Sequence, residues 1–450
     1  MLQVAKLAKK SWQSPVARGI SFISAMRYST KAFSLLRLII VARLLGSQAP
    51  AQLGMFGIAL LIIAITEVFT QTGINIILIK SSDKLKKYLD TAWGISIVRG
   101  FIISGLIWLL VPGIVNFYRA PGLQVYLHWA AIIPILRGFI NPGIISYQQN
   151  LQFGRESLLR TSLQLIDGLA GLIFAWILGN ALGLIWGVIL GVLTEVILSF
   201  YLFKPWPRLG RFKFSLIWPL FKETKFVIVN GMVVYLNENL DDILVGRFLG
   251  TAGLGYYQTA YKLASAATIE VGSTVRDTLY PIYAKIIDKQ NSFKKLESQV
   301  QWRQIIFYAI ILGPGLLLAK PFIELAFGQS WLIITPVLQI LLISGALRGL
   351  MVAWFPVFIL ADQVKQNFYN NSLSTIIMIL GIVWLAPRYG LVGAAWAILI
   401  SVILVLPLLW LAKKRSIKII SEKSGLFSSS QTTIIHRINK NIKSPTPASN

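Results

Sequence analysis

The 450-residue sequence holds no cysteine and only two histidines, His128 and His436. Without thiols there is no disulfide framework, no thiolate nucleophile and no Cys-based metal centre. Two histidines are too few for a histidine metal cluster, so neither a metal nor a cofactor is expected. Charge is scarce as well: 13% of residues are charged, about half the ~25% of an ordinary soluble domain. Acids are scarcer still, 17 against 43 Lys and Arg, for a net charge of +26. The chain has no Gly-x-x-x-x-Gly-Lys-Ser/Thr loop, no Gly-x-Ser-x-Gly and no His-Glu-x-x-His, so it carries none of those ATPase, hydrolase or metalloprotease signatures. A nucleic-acid binder would spread its basic residues over a polar surface. This chain has too little polar sequence to make one, so no nucleic-acid partner is expected.

What is present is apolar. Hydrophobic residues make up 55% of the chain, and the mean hydropathy is +0.67. A bilayer-crossing helix needs ~20 mainly apolar residues. Twelve such stretches lie between turn signals and charge runs, over 19–45, 52–79, 92–118, 122–147, 157–179, 182–203, 216–249, 252–284, 304–326, 332–361, 367–386 and 390–412. The expected fold is therefore an all-α polytopic membrane protein of about twelve transmembrane helices. No long polar insertion leaves room for an extramembrane catalytic domain, and an enzyme is not expected.

The cations sort by side. Thirty of the 43 Lys and Arg fall in termini and loops on one face, five (Arg43, Arg119, Arg247, Lys320, Arg388) on the other, and eight inside the spans. The positive-inside rule places both termini in the cytoplasm, in a plasma membrane whose anionic lipids the basic loops would meet. Arg27, Lys31 and Arg37 in the first apolar stretch argue against a cleaved signal peptide.

The sequence repeats itself. Arg43-Leu44-Leu45-Gly46 followed by Leu53-Gly54-Met55-Phe56 returns as Arg247-Phe248-Leu249-Gly250 followed by Leu254-Gly255-Tyr256-Tyr257, and Gly183-Leu184 returns as Gly390-Leu391. Matches in order at nearly one offset predict two six-helix lobes related by an axis along the membrane normal. The predicted boundaries are a basic N-terminus 1–18, a first lobe 19–203, a cytoplasmic linker 204–215, a second lobe 216–412 and a basic, disordered tail 413–450. Gly183, Gly187 and Gly191 form a small-residue ridge suited to helix packing. Pro134 and Pro142 should interrupt the fourth span, and Gly313-Pro314-Gly315 the ninth.

Ionisable side chains inside spans are costly and mark functional candidates. The cations are Arg27, Lys31, Arg37, Arg99, Arg137, Lys262, Arg276 and Arg348. The acids are Glu67, Asp167, Glu195, Glu238, Asp241, Asp242, Glu270 and Asp277. The first predicted half carries five cations to three acids, and the second three to five. Ser24, Arg27, Lys31 and Ser34 share one helical face. A cationic cleft suits an amphiphile with an anionic head, because the Arg fork matches phosphate oxygens. Arg99 or Arg137 could instead pair internally with Glu67, Asp167 or Glu195. Asp167, Glu238, Asp241, Asp242, Glu270 and Asp277 could take up coupling ions, bind sugar hydroxyls, or brace helices through Lys262 and Arg276.

Three stretches carry a family resemblance: Arg37 to Lys80 (RLIIVARLLGSQAPAQLGMFGIALLIIAITEVFTQTGINIILIK), Asn230 to Lys285 with its Gly246-Arg247, Ala260-Tyr261 and Tyr280-Pro281, and Gly328 to Gly349. With these the chain resembles bacterial polysaccharide flippases of the multidrug/oligosaccharidyl-lipid/polysaccharide exporter superfamily, over nearly its whole length. The resemblance implies two six-helix lobes in a V. These would move an undecaprenyl-pyrophosphate-linked oligosaccharide across the plasma membrane by alternating access, alongside glycan polymerase machinery. It also implies a cationic cleft, for which Arg27, Lys31, Arg99 and Arg137 are equivalents by location, with Lys262, Arg276 and Arg348 as further cations. Multidrug exporters of the superfamily typically use an acid in the first helix, where this chain has three cations. A small-molecule antiporter and a membrane-embedded glycan polymerase or ligase are the alternative functions.

Overall fold

The computed structural model describes residues 15–70, 82–150, 152–204, 206–208, 217–287 and 290–442. The predicted N-terminal basic residues up to 14, Lys80, most of the linker 209–216, and 443–450 lie outside the described residues. Among the described residues there is no strand, and the protein is a polytopic all-α membrane protein. The principal helices are α1 Pro15–Leu45, α2 Ala49–Phe69, α3 Ser82–Tyr118, α4 Leu123–Ala130, α5 Ile132–Gly138, α6 Phe153–Leu178 and α7 Leu182–Leu202. They continue as α8 Ile217–Ala267, α9 Ile269–Ile286, α10 Gln290–Phe327, α11 Thr335–Ala353, α12 Phe355–Leu360 and α13 Val364–Ile442.

Seven helical stretches among the described residues are long and apolar enough to cross a bilayer: Met26–Phe69, Leu89–Tyr118, Gly154–Leu178, Leu182–Leu202, Asn291–Phe327, Gln329–Leu360 and Val364–Glu422. The first and last each contain two predicted spans, so these seven account for nine of the twelve. The fourth span is missing because it is broken into α4, α5 and a 3-10 turn at Pro142–Ile145. The seventh and eighth lie on α8 and α9, whose acids and amides dilute their hydropathy. The ninth span differs from expectation. α10 runs unbroken through Gly313-Pro314-Gly315. The tail differs as well. α13 continues past the predicted end of the last span, and Lys413, Ser416 and Ile420 are buried at helical spacing.

The described chain forms two compact units. The first comprises 1–263, 320–337 and 381–395, so it contains the predicted first lobe together with parts of the second. Within it α6 and α7 pack along the predicted glycine ridge. A Cβ on Gly187 would lie 2.4 Å from Gly171 Cα, and one on Gly183 would lie 2.2 Å from Ala175 N. The second unit comprises 264–319, 338–380 and 396–450. Its core joins Leu279, Tyr283, Phe293, Val357, Ala361 and Ile420, with Trp354, Phe358, Val405 and Leu409 in a further cluster.

The repeated words are also repeated geometry inside the first unit. Gly46 and Gly250 both adopt left-handed backbone, with φ 56° and 72°, a region in which glycine carries no Cβ penalty. Each breaks its helix and turns the chain into the next segment. The two following segments cross at Gly54 and Gly255. A Cβ on Gly54 would fall 1.8 Å from Thr251 O, and one on Gly255 1.9 Å from Pro50 O. Each glycine therefore meets the backbone four residues before the other. The third repeated word is displaced: Gly390 at φ 60° finds its left-handed counterpart in Gly179 at φ 63°, four residues before Gly183.

Candidate functional site

The intramembrane charges of the first unit assemble around the C-terminus of α2. The last carbonyls of a helix lack intrahelical donors and carry the negative end of the dipole. Two guanidinium groups fill that position. Arg99 of α3 donates through Nη2 to Glu67 O at 3.0 Å and through Nε to Thr70 Oγ1 at 3.2 Å. Arg137, in the last turn of α5, places Nη1 2.8 Å from both carboxylate oxygens of Glu67. Pro134 and the break before Pro142 confine α5 to seven residues, which lets Arg137 reach α2.

A second group lies on α1, α6 and α8. Arg37 Nη1 pairs with Asp167 Oδ1 at 3.2 Å. Ser34, Arg37, Gln258, Thr259 and Lys262 line a small cavity of about 40 Å³, with Phe56 and Gly255 among its apolar walls. Gln258 Nε2 donates to Asp242 Oδ2 at 2.8 Å, and the Tyr257 hydroxyl donates to Asp241 Oδ2 at 2.6 Å. Lys262 lies within electrostatic range of Asp242, Arg37 and Lys31. Arg137 acts likewise on Asp167 and Glu195. Through Arg137 and Asp167 the two groups form one chain of charged side chains, in which the cations Lys31, Arg37 and Lys262 lie together.

Of the predicted cationic set, the structure brings Arg99, Arg137, Lys31 and Lys262 into this chain. Arg27 is exposed on α1, and its carbonyl accepts from Thr30 Oγ1 at 2.9 Å. Ser24's side chain lies outside the described residues. Asp167, Asp241, Asp242 and Glu238 also belong to the first unit. Because Lys262, Glu238, Asp241 and Asp242 join it, the charge excess of the first predicted half does not carry over. The unit's intramembrane cations and acids balance, six against six. Arg276, Arg348, Glu270 and Asp277 belong to the second unit. There Arg276 Nε meets its own neighbour Asp277 at 2.9 Å. Arg348 lies 3.8 Å from Met378 Sδ, and Glu270 sits in the first turn of α9.

Two residues matter more than their place in the sequence suggested. Glu67 is the shared partner of Arg99 and Arg137, and Arg37 is the partner of Asp167. Glu67 is the sole acid of α2, a signal that could have singled it out. In the second unit the buried Lys413 pairs with Glu297 and lies 4.8 Å from the Trp354 ring centroid. Nothing in the local sequence separates it from the basic residues that follow.

A helical bundle of this kind, with a broken fourth span, defines a multi-pass all-α membrane protein. Residues 40–336 match the family model described as polysaccharide biosynthesis protein, and the chain belongs to that family. Among curated proteins it is 24% identical over 371 residues to the lipopolysaccharide biosynthesis protein WzxC of Escherichia coli (strain K12), covering 81% of this chain and 74% of that one. It is 24% identical over 340 residues to the teichuronic acid biosynthesis protein TuaB of Bacillus subtilis (strain 168), covering 73% and 68%. Among solved structures, the lipid II flippase MurJ in an inward closed conformation aligns with a TM-score of 0.68 at 15% identity, over 90% of each chain. An inward-facing MATE transporter of the MOP superfamily aligns at 0.67 and 12% identity, over 87% and 96%. Both share the fold.

Proposed function

We propose that this protein is a flippase that carries a polyprenyl-pyrophosphate-linked oligosaccharide across the bacterial plasma membrane for surface polysaccharide synthesis, with both termini in the cytoplasm. The observation that carries the reading is the placement of Arg99 and Arg137 at the end of α2, joined through Asp167 and Arg37 to the cavity beside Lys262. A diphosphate offers acceptors for several guanidinium donors at once, and it can replace the Glu67 carboxylate as the partner of Arg137. The lipid tail stays in the bilayer while the head moves along the charged chain. The two backbones touch at Gly54 and Gly255; in this reading that crossing closes one end of the path, and its separation supplies the second state of an alternating-access cycle. No bond of the substrate is made or broken, so the protein is a transporter and not an enzyme. The names of the polysaccharide and teichuronic acid relatives support the substrate class.

The test is movement of a labelled polyprenyl-diphosphate glycan in liposomes. Transfer between leaflets by the wild-type protein, lost in Arg137→Ala protein that inserts normally, is the expected result. Elongation of the glycan would show a polymerase. Ion-driven uptake of a small cation without glycan transfer would show an antiporter, and either would overturn the reading.

A further inference from the structure

A groove outside the charged chain combines an unusual backbone, a cation and an apolar wall. It lies between the C-terminal half of α3 and the start of α4, holds about 600 Å³, and is lined by Trp108, Pro112, Asn116, Arg119, Gln124 and His128 among others. Arg119 is one of two non-glycine residues with left-handed backbone among the described residues, at φ 51°. Such a conformation costs free energy for a residue with a Cβ. The repeat shows what the backbone there prefers: the corresponding turn after α10 is made by Gly328, at φ 96°. The first half accepts the strain and gains an exposed guanidinium over the groove.

We infer that this groove binds the headgroup of an anionic phospholipid. Arg119 would hold the phosphodiester, while the amides of Asn116 and Gln124 lie within the same groove for headgroup hydroxyls. The Trp108 indole, 5.1 Å from the His128 ring, forms the wall where headgroup gives way to glycerol, the position in which amphipathic rings are favoured. The acyl chain continues along Leu106, Leu109 and Leu110, of which Leu109 is 76% exposed. No side chain among the described residues pairs with the Arg119 guanidinium; its backbone N–H donates to Asn116 O at 3.2 Å. An anionic lipid satisfies both charge and apolar surface. A soluble anion satisfies only the first.

Full-length protein in nanodiscs of phosphatidylcholine with a minor fraction of phosphatidylglycerol, followed by native mass spectrometry, tests this. Arg119→Gly suits the left-handed turn and should melt no lower than wild type in pure phosphatidylcholine, while retaining one fewer phosphatidylglycerol. Arg119→Gln should weaken the same site roughly tenfold, as expected for loss of a charge-assisted hydrogen bond. Retention of phosphatidylglycerol by the glycine variant equal to wild type would overturn the site. So would displacement of the bound lipid by millimolar inorganic phosphate.

Discussion

Arg43 and Arg247 open the same repeated word at the same kind of helix end, yet they act on different partners. Arg43 donates to the carbonyls of Glu324, Leu325 and Ala326 at the C-terminus of α10, with 3.2 Å to Glu324 O and 2.9 Å to Ala326 O. Arg247 lies over the Phe117 ring near the C-terminus of α3, 5.3 Å from its centroid. Each arginine thus reaches the helix end belonging to the other half. The difference comes from the turns that follow those ends. Gly328 has no side chain, so the Arg43 guanidinium passes within 3.6 Å of where its Cβ would be and reaches the carbonyls. Arg119 has a side chain at the matching turn, and Arg247 meets an aromatic face instead. A duplication preserves the backbone path while single residues redirect the contacts along it.

The same contrast applies to the intramembrane charges of the two units. In the first they link residues as distant in sequence as Glu67 and Arg137; in the second Arg276 pairs with its neighbour Asp277. The largest expected effect tests that contrast. Arg137→Ala should reduce glycan transfer in liposomes at least tenfold, while Arg276→Ala leaves it within about twofold, on a loss of one charge-assisted contact. Equal loss in both would remove the distinction. Next, Lys413→Ala should destabilise the protein by about 3–5 kcal/mol, because it leaves the Glu297 carboxylate buried and unpaired. Denaturant-induced unfolding in detergent checks it, and Lys413→Met combined with Glu297→Gln should recover most of the loss.

Smaller effects probe the repeat itself. Gly54→Leu and Gly255→Leu should each cost about 1–3 kcal/mol from overpacking, and by similar amounts, since their surroundings match. A clear difference between their melting temperatures would show that the crossing is not symmetric in energy. Arg43→Ala should cost about 1–2 kcal/mol, the value of hydrogen bonds from an exposed charged group. Arg247→Ala should cost only ~0.5–1 kcal/mol, as a cation–π contact does. Reversal of that order in thermal melts would mean that the carbonyl contacts of Arg43 contribute little.

Much of the fold was legible because its causes are local. Apolar stretches of bilayer length, left-handed glycines after repeated arginines, and prolines in the fourth span all act within a few residues. An exception is Gly313-Pro314-Gly315, which reads as a break but lies inside the unbroken helix α10. The site was legible only as a set of candidates. That Arg99 and Arg137 have an acidic option in Glu67 follows from composition. That Arg137 takes it while Arg99 takes the Glu67 carbonyl and the Thr70 hydroxyl, and that Arg37 takes Asp167, depends on how α5 is cut short and where α1 meets α6.

By itself the sequence determined that the chain lives in a membrane and is helical, and it offered repeated arginine–glycine words and eight cations and eight acids as intramembrane candidates. These follow from the bilayer, which requires long apolar helices with satisfied backbones and makes every buried charge costly. Only the tertiary structure decided which charges neutralise one another. Pairing depends on distances of 3–4 Å between residues far apart in sequence, whereas hydropathy records only each residue's own preference for water or lipid.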